Sequence, residues 1–337
     1  MTSRERVWAV LQGRAVERPP VSFWGHSYHR ESSAAELVET TLESWREYHW
    51  DWVKLNPRKH YHVEPWGVRY RYPGVPEVKP VLESWPVHAP TDWAQVTPQP
   101  PTAGALGEQI EAVRLLRRAL PAEVPLIETV FTPLAVLGEM VETPEELRAQ
   151  LDSHPDLVRG ALEAVTATYE PFVRELLRAG ADGIYFATVD WASADLLTPA
   201  QVRAWARPFD LRVLAAAADA PFNVLHVCKR RNLLFEFGDY PVAAFSWATT
   251  DPTNPTLREA LGRLGSAVMG GISQDGALQA SGSGAALAEY AAALAETAGR
   301  RWLAAPGCSI PPGTPAENLR AVRDAVAATR LPMSQER

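Results

Sequence analysis

The sequence predicts a (β/α)8 barrel, and three observations support this fold class. Short apolar runs alternate along the chain with longer amphipathic stretches, as in a parallel sheet buried on both faces. The apolar runs number eight, which favours closure into a barrel over an open, doubly wound sheet. No GxGxxG or GxxxxGK[ST] motif follows the first run, so a dinucleotide-binding or P-loop fold has no support.

The predicted elements follow one another in the order that such a barrel requires. The strands are predicted at residues 21–24, 52–55, 126–129, 183–187, 222–228, 243–247, 267–269 and 302–305. The helices are predicted at residues 5–12, 34–49, 106–120, 144–153, 155–179, 199–217, 257–264, 284–298 and 315–328. Several helices begin with proline and some end at glycine, as at Ala179-Gly180. A turn-rich insertion near residues 70–100 is predicted to be a loop, and the whole chain, 1–337, to be one domain.

The composition limits the classes of protein to which the chain can belong. Of its 337 residues, 46% are hydrophobic and 22% are charged, which is ordinary for a globular protein with a large core. A net charge of −7 and the lack of a basic run argue against nucleic-acid binding. No apolar run approaches the roughly 20 residues of a membrane span, and the first residues lack the pattern of a secretion signal. We expect a cytoplasmic protein whose two cysteines are reduced.

Those two cysteines and one histidine form the strongest chemical signal. His226 and Cys228 lie two residues apart at the end of a predicted strand, so their side chains can point the same way. Cys308 follows the last predicted strand, directly after Pro306-Gly307. Because the carboxyl ends of barrel strands meet at one face, the three residues can together bind zinc and leave its fourth position open. The plainer alternative is that all three are buried core residues without a metal.

Other polar and aromatic residues follow predicted strands and are candidates for the same face. Asp190 is expected to be a catalytic acid in the pocket, and both Asp190 and Asp251 are candidates for a fourth zinc ligand. The residues expected to bind substrate are His26, Tyr28, Asn56, His60, His62 and Trp191. For His60 and His62 the alternative is an exposed loop. Three tryptophans, Trp24, Trp191 and Trp247, lie at the ends of predicted strands. They suggest a flat apolar pocket for a large planar ligand.

Several motifs give the chain a resemblance to a known family. They are the opening segment 4–24, Thr132-Pro133-Leu134, Gly180-Ala181-Asp182-Gly183, Leu197-Thr198-Pro199 and the closing segment 305–322, which reads APGCSIPPGTPAENLRAV. On these residues the chain resembles the uroporphyrinogen decarboxylase superfamily from about residue 3 to residue 330. The resemblance implies a (β/α)8 barrel. It also implies one of two chemistries, which are decarboxylation of uroporphyrinogen without a cofactor and zinc-dependent methyl transfer from a corrinoid to a thiol.

The zinc-binding motifs bring the chain closer to the methyltransferase branch. Its members bind zinc through an H-x-C pair and a later PGC cysteine, and His226, Cys228 and Cys308 stand at those positions. The resemblance therefore implies zinc, a small thiol acceptor, a corrinoid methyl donor and a corrinoid-carrying partner protein, and it leaves the oligomeric state open. One departure is Lys229, which stands where the branch has glycine.

The decarboxylase motifs are less well matched. The branch carries Arg-Gln-Ala-Gly-Arg after the first strand, whereas residues 25–30 read GHSYHR with a single arginine. Asn56 stands near the position of its catalytic aspartate, and Cys308 replaces a histidine. Three hypotheses follow. The zinc-dependent methyltransferase is favoured, a metal-free carboxy-lyase of tetrapyrrole biosynthesis is second, and a barrel that binds a tetrapyrrole or corrinoid without turnover is third.

Overall fold

The structure, a computed structural model that describes residues 1–332, contains a curled parallel sheet and a small hairpin. The strands are β1 (Val53–Leu55), β2 (Arg69–Arg71), β3 (Val81–Ser84), β4 (Leu126–Phe131), β5 (Gly183–Ala187), β6 (Val224–His226), β7 (Ala244–Ser246), β8 (Ala267–Ile272) and β9 (Trp302–Pro306). Seven strands pair in parallel in the order β1-β4-β5-β6-β7-β8-β9, while β2 and β3 pair with each other in antiparallel fashion. The fold is the predicted (β/α)8 barrel.

Residues 21–24, predicted as the first strand, close this barrel between its two edges. The Ser22 N–H donates to the carbonyl of Ala304 in β9 at 3.2 Å. On the other side, the Asp51 N–H just before β1 donates to the Val21 carbonyl at 2.9 Å. The segment is joined to the sheet by single bridges rather than by a regular ladder, so it takes the eighth place in the barrel without being a regular strand.

Helices cover the outer face of the sheet. They are α1 (Ser3–Leu11), α2 (Ala34–Tyr48), α3 (Gly104–Ala119), α4 (Pro133–Gly138), α5 (Pro144–Ser153), α6 (Pro155–Ala179), α7 (Pro199–Gln201), α8 (Arg207–Ala215), α9 (Leu257–Arg263), α10 (Gly284–Thr297) and α11 (Ala316–Ala328). The predicted helices correspond to these within a few residues at most ends. Helix α4 was not predicted, because its six residues are too few to show a helical period.

The predicted helix at residues 199–217 is present from Pro199 to Ala215, but it is not regular throughout. The chain forms α7, then a π-helical turn over Val202–Ala206, and becomes regular only in α8. The Arg207 N–H bonds to the carbonyl of Val202, five residues earlier. Pro208 has no N–H to donate, so it interrupts the regular hydrogen-bond ladder at this point.

Two apolar clusters bury the sheet on both faces. Successive residues of one strand belong to different clusters, as Val224 and Leu225 of β6 do. The smaller cluster fills the barrel and includes Val7 and Val10 of α1, so α1 covers one end of the barrel. The larger cluster lies between the sheet and the outer helices. The carboxyl ends of the strands are left to form a site at the other end.

Two details of the loops differ from the sequence-based expectation. The insertion near residues 70–100 contains the β2-β3 hairpin and a short 3-10 helix, Pro90–Gln95, rather than loop alone. Strand β8 continues beyond Met269 through two glycines to Ile272. Within residues 1–332, no helix combines the length and the apolar character that crossing a membrane requires.

Candidate metal centre

His226, Cys228 and Cys308 meet at the carboxyl ends of two barrel strands. His226 is the last residue of β6, Cys228 lies two residues further on, and Cys308 lies two residues beyond the end of β9. One ligand atom from each residue lies within 4.8 Å of the other two. His226 Nε2 is 3.2 Å from Cys228 Sγ, and the two sulfur atoms are 4.0 Å apart. The structure therefore brings together the three residues that the sequence predicted as one site.

Local backbone contacts hold the two cysteine loops in place. The Cys228 N–H donates to Thr188 Oγ1 at 3.2 Å, and the Gly307 N–H donates to the Ile272 carbonyl at 3.0 Å. A Cβ on Gly307 would lie 2.8 Å from the Cα of Ala248, so only glycine allows this approach. The PGC motif thus places Cys308 because glycine precedes it.

The donor set and its spacing fit a zinc ion. Zinc bonds of about 2.3 Å to sulfur and 2.0–2.1 Å to nitrogen put tetrahedral ligand atoms roughly 3.5–3.8 Å apart. The observed 3.2 Å and 4.0 Å separations need only small side-chain adjustments to reach that geometry. Two thiolates and an imidazole suit zinc better than a hard cation such as magnesium.

The imidazole of His226 is oriented by a chain of hydroxyl groups. Ser246 Oγ lies 3.2 Å from His226 Nδ1, and the Tyr185 hydroxyl lies 3.0 Å from Ser246 Oγ. The Tyr185 ring also stacks on the imidazole, with centroids 5.1 Å apart. With Nδ1 engaged in this way, Nε2 is the nitrogen that faces the cysteines.

The two thiols differ in acidity because they contact each other. The hydrogen bond with Cys228, supported by one from His226, lowers the pKa of Cys308 well below its usual value. For Cys228, the hydrogen bond with the Cys308 sulfur and burial both raise the pKa of the thiol. The pair thus favours one negative charge shared between two sulfur atoms, which is an attractive environment for a metal cation.

The acidic residues predicted near the metal contact other partners. Asp190 pairs with Lys229, the residue after Cys228, at 3.0 Å. Asp251 accepts hydrogen bonds from the N–H and the hydroxyl of Thr253 at 2.8 and 2.6 Å. Within the described residues, the group able to hold a metal contains neither aspartate. Asp251 therefore caps a turn, while Asp190 lies beside the loop that carries Cys228.

A cavity of about 210 Å³ lies beside the segment that follows Cys308, although none of the three ligands lines it. Its wall includes His26 and Asn56, two of the residues predicted to bind substrate, and Ile310, two residues beyond Cys308. His26 Nδ1 pairs with Glu31 at 3.0 Å and its ring stacks on Tyr28, with centroids 4.7 Å apart. Burial, with the Glu31 and Cys308 charges, raises the pKa of Tyr28 to about 12, so its hydroxyl stays protonated. His26, Tyr28 and Asn56 thus gather on one side of the site.

His60 and His62 do not line this cavity. His60 Nδ1 and His62 Nε2 lie 2.8 and 3.2 Å from Glu139 Oε2, and both side chains are buried. His62 also stacks on Phe131, with centroids 3.8 Å apart. These contacts join the segment after β1 to the segment after α4, so the two histidines do not form an exposed loop, and their predicted contact with substrate stays a prediction.

The predicted aromatic pocket is only partly present. Trp24 lines the cavity. The indole of Trp191 is buried against Gly138, where a Cβ would lie 1.9 Å from Nε1. Trp247 is fully buried and donates to the Pro255 carbonyl at 2.8 Å. Trp191 and Trp247 thus pack in the core and do not line the cavity.

Three residues near the site were not predicted from the sequence, namely Lys54, Tyr185 and Ser246. Tyr185 and Ser246 lie within apolar strands and carried no signal of their own. Lys54 did carry one, since a lysine in the middle of the buried strand β1 contradicts the apolar pattern.

The family model for uroporphyrinogen decarboxylase (URO-D) matches residues 2–329. The chain belongs to this family. The resemblance drawn from its sequence motifs is therefore confirmed.

Relatives of this family member that match over most of its length include methyltransferases. The methylcobamide:CoM methyltransferase MtaA of Methanosarcina barkeri is 23% identical over 340 residues, which is 95% of this chain and 96% of that protein. A uroporphyrinogen decarboxylase of Syntrophotalea carbinolica is 26% identical over 149 residues, covering 42% of this chain and 43% of its own length. The methyltransferase branch is thus matched over a longer part of the chain than this decarboxylase.

Solved structures show the same fold. A methyltransferase from Methanosarcina mazei superposes with a TM-score of 0.80 at 21% identity and covers 97% of this chain and 100% of its own. A B12-independent methionine synthase from Shewanella sp. W3-18-1 superposes with a TM-score of 0.60 at 13% identity, covering 93% of this chain and 98% of its own. At these identities the comparison establishes the barrel rather than a shared reaction.

Proposed function

We propose that this family member is a zinc-dependent methyltransferase that passes a methyl group from a corrinoid to a thiol. The observation that carries the proposal is the convergence of His226, Cys228 and Cys308 within 4.8 Å at the open end of the barrel. A histidine and two cysteines leave one position of a tetrahedral ion for a substrate, which is typical of a catalytic rather than a structural zinc site. The MtaA relative, whose name states a methylcobamide donor and CoM as acceptor, supports the choice of donor and acceptor.

The residues of the chain divide the work of such a reaction. When bound, zinc would keep the acceptor thiol deprotonated at neutral pH, so that its sulfur can attack the methyl group. His226, Cys228 and Cys308 would hold the ion, and Ser246 with Tyr185 orients the imidazole. The cavity beside Ile310 holds the rest of the acceptor and positions it for attack.

Asp190 is assigned a positioning role rather than direct chemistry. Its pairing with Lys229 holds that residue, which follows Cys228, in its left-handed backbone conformation with φ of 70°.

The methyl donor approaches from the open end of the barrel. A corrinoid large enough to carry the methyl group exceeds the 210 Å³ cavity, so we expect it to come on a partner protein.

The zinc content of the purified protein tests this proposal. Wild type is expected to hold about one zinc per chain, and Cys308→Ser and His226→Ala to hold little, since two protein ligands bind zinc weakly. His88→Ala is the matched control, because His88 is exposed and distant in sequence from the ligands, and it should retain the metal. The same proteins are then assayed for thiol methylation with methylcobalamin as the donor.

Each outcome separates two functions. The methyltransferase is supported if wild type and His88→Ala bind zinc and methylate the thiol while Cys308→Ser and His226→Ala do neither. A protein that binds no zinc under reducing conditions and releases carbon dioxide from uroporphyrinogen would be a decarboxylase instead. That second function is favoured only by the partial match to the Syntrophotalea carbinolica enzyme. Among the described residues that line the cavity there is no arginine to bind a polycarboxylate.

A further inference from the structure

Lys54 is a buried cation beside the metal centre. It lies in the middle of β1, is 5% exposed, and lines the same cavity as Trp24 and Asn56. Its Nζ donates to Asn56 Oδ1 at 2.5 Å and lies 4.8 and 5.5 Å from the ring centroids of Tyr185 and Trp24. In the described part of the chain this amide oxygen is its one hydrogen-bond partner, and no carboxylate pairs with it. A buried ammonium group normally requires an anion.

The nearby carboxylates do not provide that anion. Glu31 lines the cavity, but its oxygens already accept from His26 Nδ1 and from the Ser27 N–H at 2.7 Å. Glu128 pairs in register with Leu55, so it faces away from Lys54 across the sheet. Burial raises the pKa of Glu128 well above its usual value, which keeps that carboxyl neutral. The charge on Lys54 therefore lacks a carboxylate counterion, and among the charges around it the Cys308 sulfur is the main one that favours the protonated form.

Asn56 presents a second unused donor at the same place. Its Oδ1 accepts from Lys54 Nζ and from Ser309 Oγ at 3.1 Å, and these two donors fix the orientation of the amide. Its Nδ2 is buried and has no partner among the described residues, and the same holds for Trp24 Nε1. Two donors without a partner, Asn56 Nδ2 and Trp24 Nε1, thus belong to residues that line the cavity together with the Lys54 ammonium group. Such a lining is complementary to an oxyanion.

We infer that Lys54 and Asn56 form an anion-binding subsite that receives the carboxylate or sulfonate of an acidic thiol acceptor. The assignment rests on the proposed function for the identity of the acceptor. Ser309, the residue directly after Cys308, donates a hydrogen bond to Asn56 Oδ1. The subsite is therefore one residue away from a proposed metal ligand. A short acidic thiol can therefore reach the subsite and the metal together. Burial lowers the pKa of Lys54 to about 7, as expected for an ammonium group without a counterion.

Calorimetric titration of the zinc-loaded protein tests the subsite. The probes are 3-mercaptopropionate and 2-mercaptoethanesulfonate, the neutral 2-mercaptoethanol, and the two anions without sulfhydryl groups, propionate and ethanesulfonate. Wild type is expected to bind the acidic thiols roughly 10- to 100-fold more tightly than the neutral thiol, the value of one or two charge-assisted hydrogen bonds. The carboxylate and sulfonate series show which anion the subsite prefers.

The variants separate the subsite from the rest of the protein. Lys54→Met should lose the preference for acidic thiols, whereas the matched Lys79→Met, which removes an exposed lysine, should keep it. Lys54→Met should unfold at the same or a higher temperature, because an apolar chain of similar length replaces an uncompensated buried charge. If Lys54→Met does not fold, Asn56→Asp serves as the second variant. Its carboxylate would neutralise Lys54 and abolish anion binding while the fold remains.

The outcomes distinguish a wrong subsite from a wrong function. Equal binding of acidic and neutral thiols by wild type, or an unchanged preference in Lys54→Met and Asn56→Asp, overturns the subsite. If no thiol binds, the proposed function fails. The subsite then stands only if propionate or ethanesulfonate binds wild type and Lys79→Met but neither Lys54→Met nor Asn56→Asp, and it falls if these anions fail to bind.

Discussion

Ser246 acts on the candidate metal centre only through His226. Its hydroxyl lies 3.2 Å from His226 Nδ1 and 3.0 Å from the Tyr185 hydroxyl, and it is fully buried. Most metal-binding histidines are oriented by a carboxylate or a carbonyl, whereas here a hydroxyl pair takes that role. The hydroxyl pair thus orients the imidazole without adding a negative charge to the site.

Ser246→Ala is predicted to lower zinc affinity by about 10- to 100-fold, because the imidazole loses the group that orients it. Competition with a chromophoric chelator measures the change. Ser266→Ala is the matched control, since Ser266 donates to the Val242 carbonyl and should not affect zinc binding. An affinity equal to that of wild type in Ser246→Ala would show that packing alone orients His226.

At the scale of single elements, β8 depends on its two glycines for packing. Gly271 has a left-handed φ of 114°, and a Cβ there would lie 2.8 Å from Ala293 Cβ and 3.2 Å from Trp302. From the sequence, this strand was predicted at residues 267–269, ending before these glycines. The close approach of α10 is the reason that glycine occurs there.

Gly271→Ala is predicted to destabilise the protein by about 2 kcal/mol or more, through strain at positive φ and overpacking. Gly262→Ala in α9 is the matched control. It has open space around the added methyl group and should stabilise by about 0.5–1 kcal/mol. Urea unfolding of both variants checks the two signs. A Gly271→Ala variant as stable as wild type would contradict the packing argument.

Helix α8 contains a second feature of this scale, the buried carboxyl group of Asp210. Burial raises its pKa to about 8, opposed by the hydrogen bond that Tyr240 donates at 3.1 Å. The folded state therefore keeps a proton that the unfolded state releases above about pH 4. The contribution of this group to the unfolding free energy is fully present below about pH 4. It is lost progressively as the pH rises from 4 to 8.

Asp210→Asn is predicted to remove that pH dependence. Between pH 5 and pH 9 the wild type should lose about 4 kcal/mol more unfolding free energy than the variant, nearly all of it below pH 8. Urea unfolding at a series of pH values measures both curves. Tyr240 remains in the variant and can still donate to the amide oxygen. Parallel curves for the two proteins would mean that Asp210 is ionised in the folded state.

At the scale of the whole molecule, Asp51 joins the parts that close the barrel. Its carboxylate accepts from Arg6 of α1 at 2.6 Å, from Arg18 at 2.7 Å and from the Val21 N–H at 2.8 Å. Asp51 is 1% exposed, so these bonds are sheltered from water. One carboxylate thus connects α1, the closing segment and the start of β1.

Asp51→Ala is predicted to lower the unfolding free energy by about 3–5 kcal/mol, because Arg18 loses its carboxylate partner and Arg6 keeps only Glu17. Asp219→Ala removes an exposed aspartate and should have little effect. Chemical denaturation compares the two midpoints. Equal midpoints would show that the barrel closes through its apolar contacts and backbone bonds alone.

The alternation of apolar runs and amphipathic stretches was enough to predict the barrel. Burial on both faces of a parallel sheet produces that pattern before any tertiary contact is known. The closing segment 21–24 and the broken helix 199–217 were less predictable. The first is held by two neighbours that are distant in the chain, and the second depends on how Pro208 is accommodated.

By itself the sequence determined the fold class, the family and the three candidate zinc ligands, because period, proline and glycine positions and the H-x-C and PGC motifs are local properties. Only the tertiary structure decided which other polar residues share the site. Asn56 meets Ser309, the residue after Cys308, whereas His60 and His62 turn to Glu139. The direction of a side chain and the partner it meets depend on packing between elements distant in sequence, which no local pattern records.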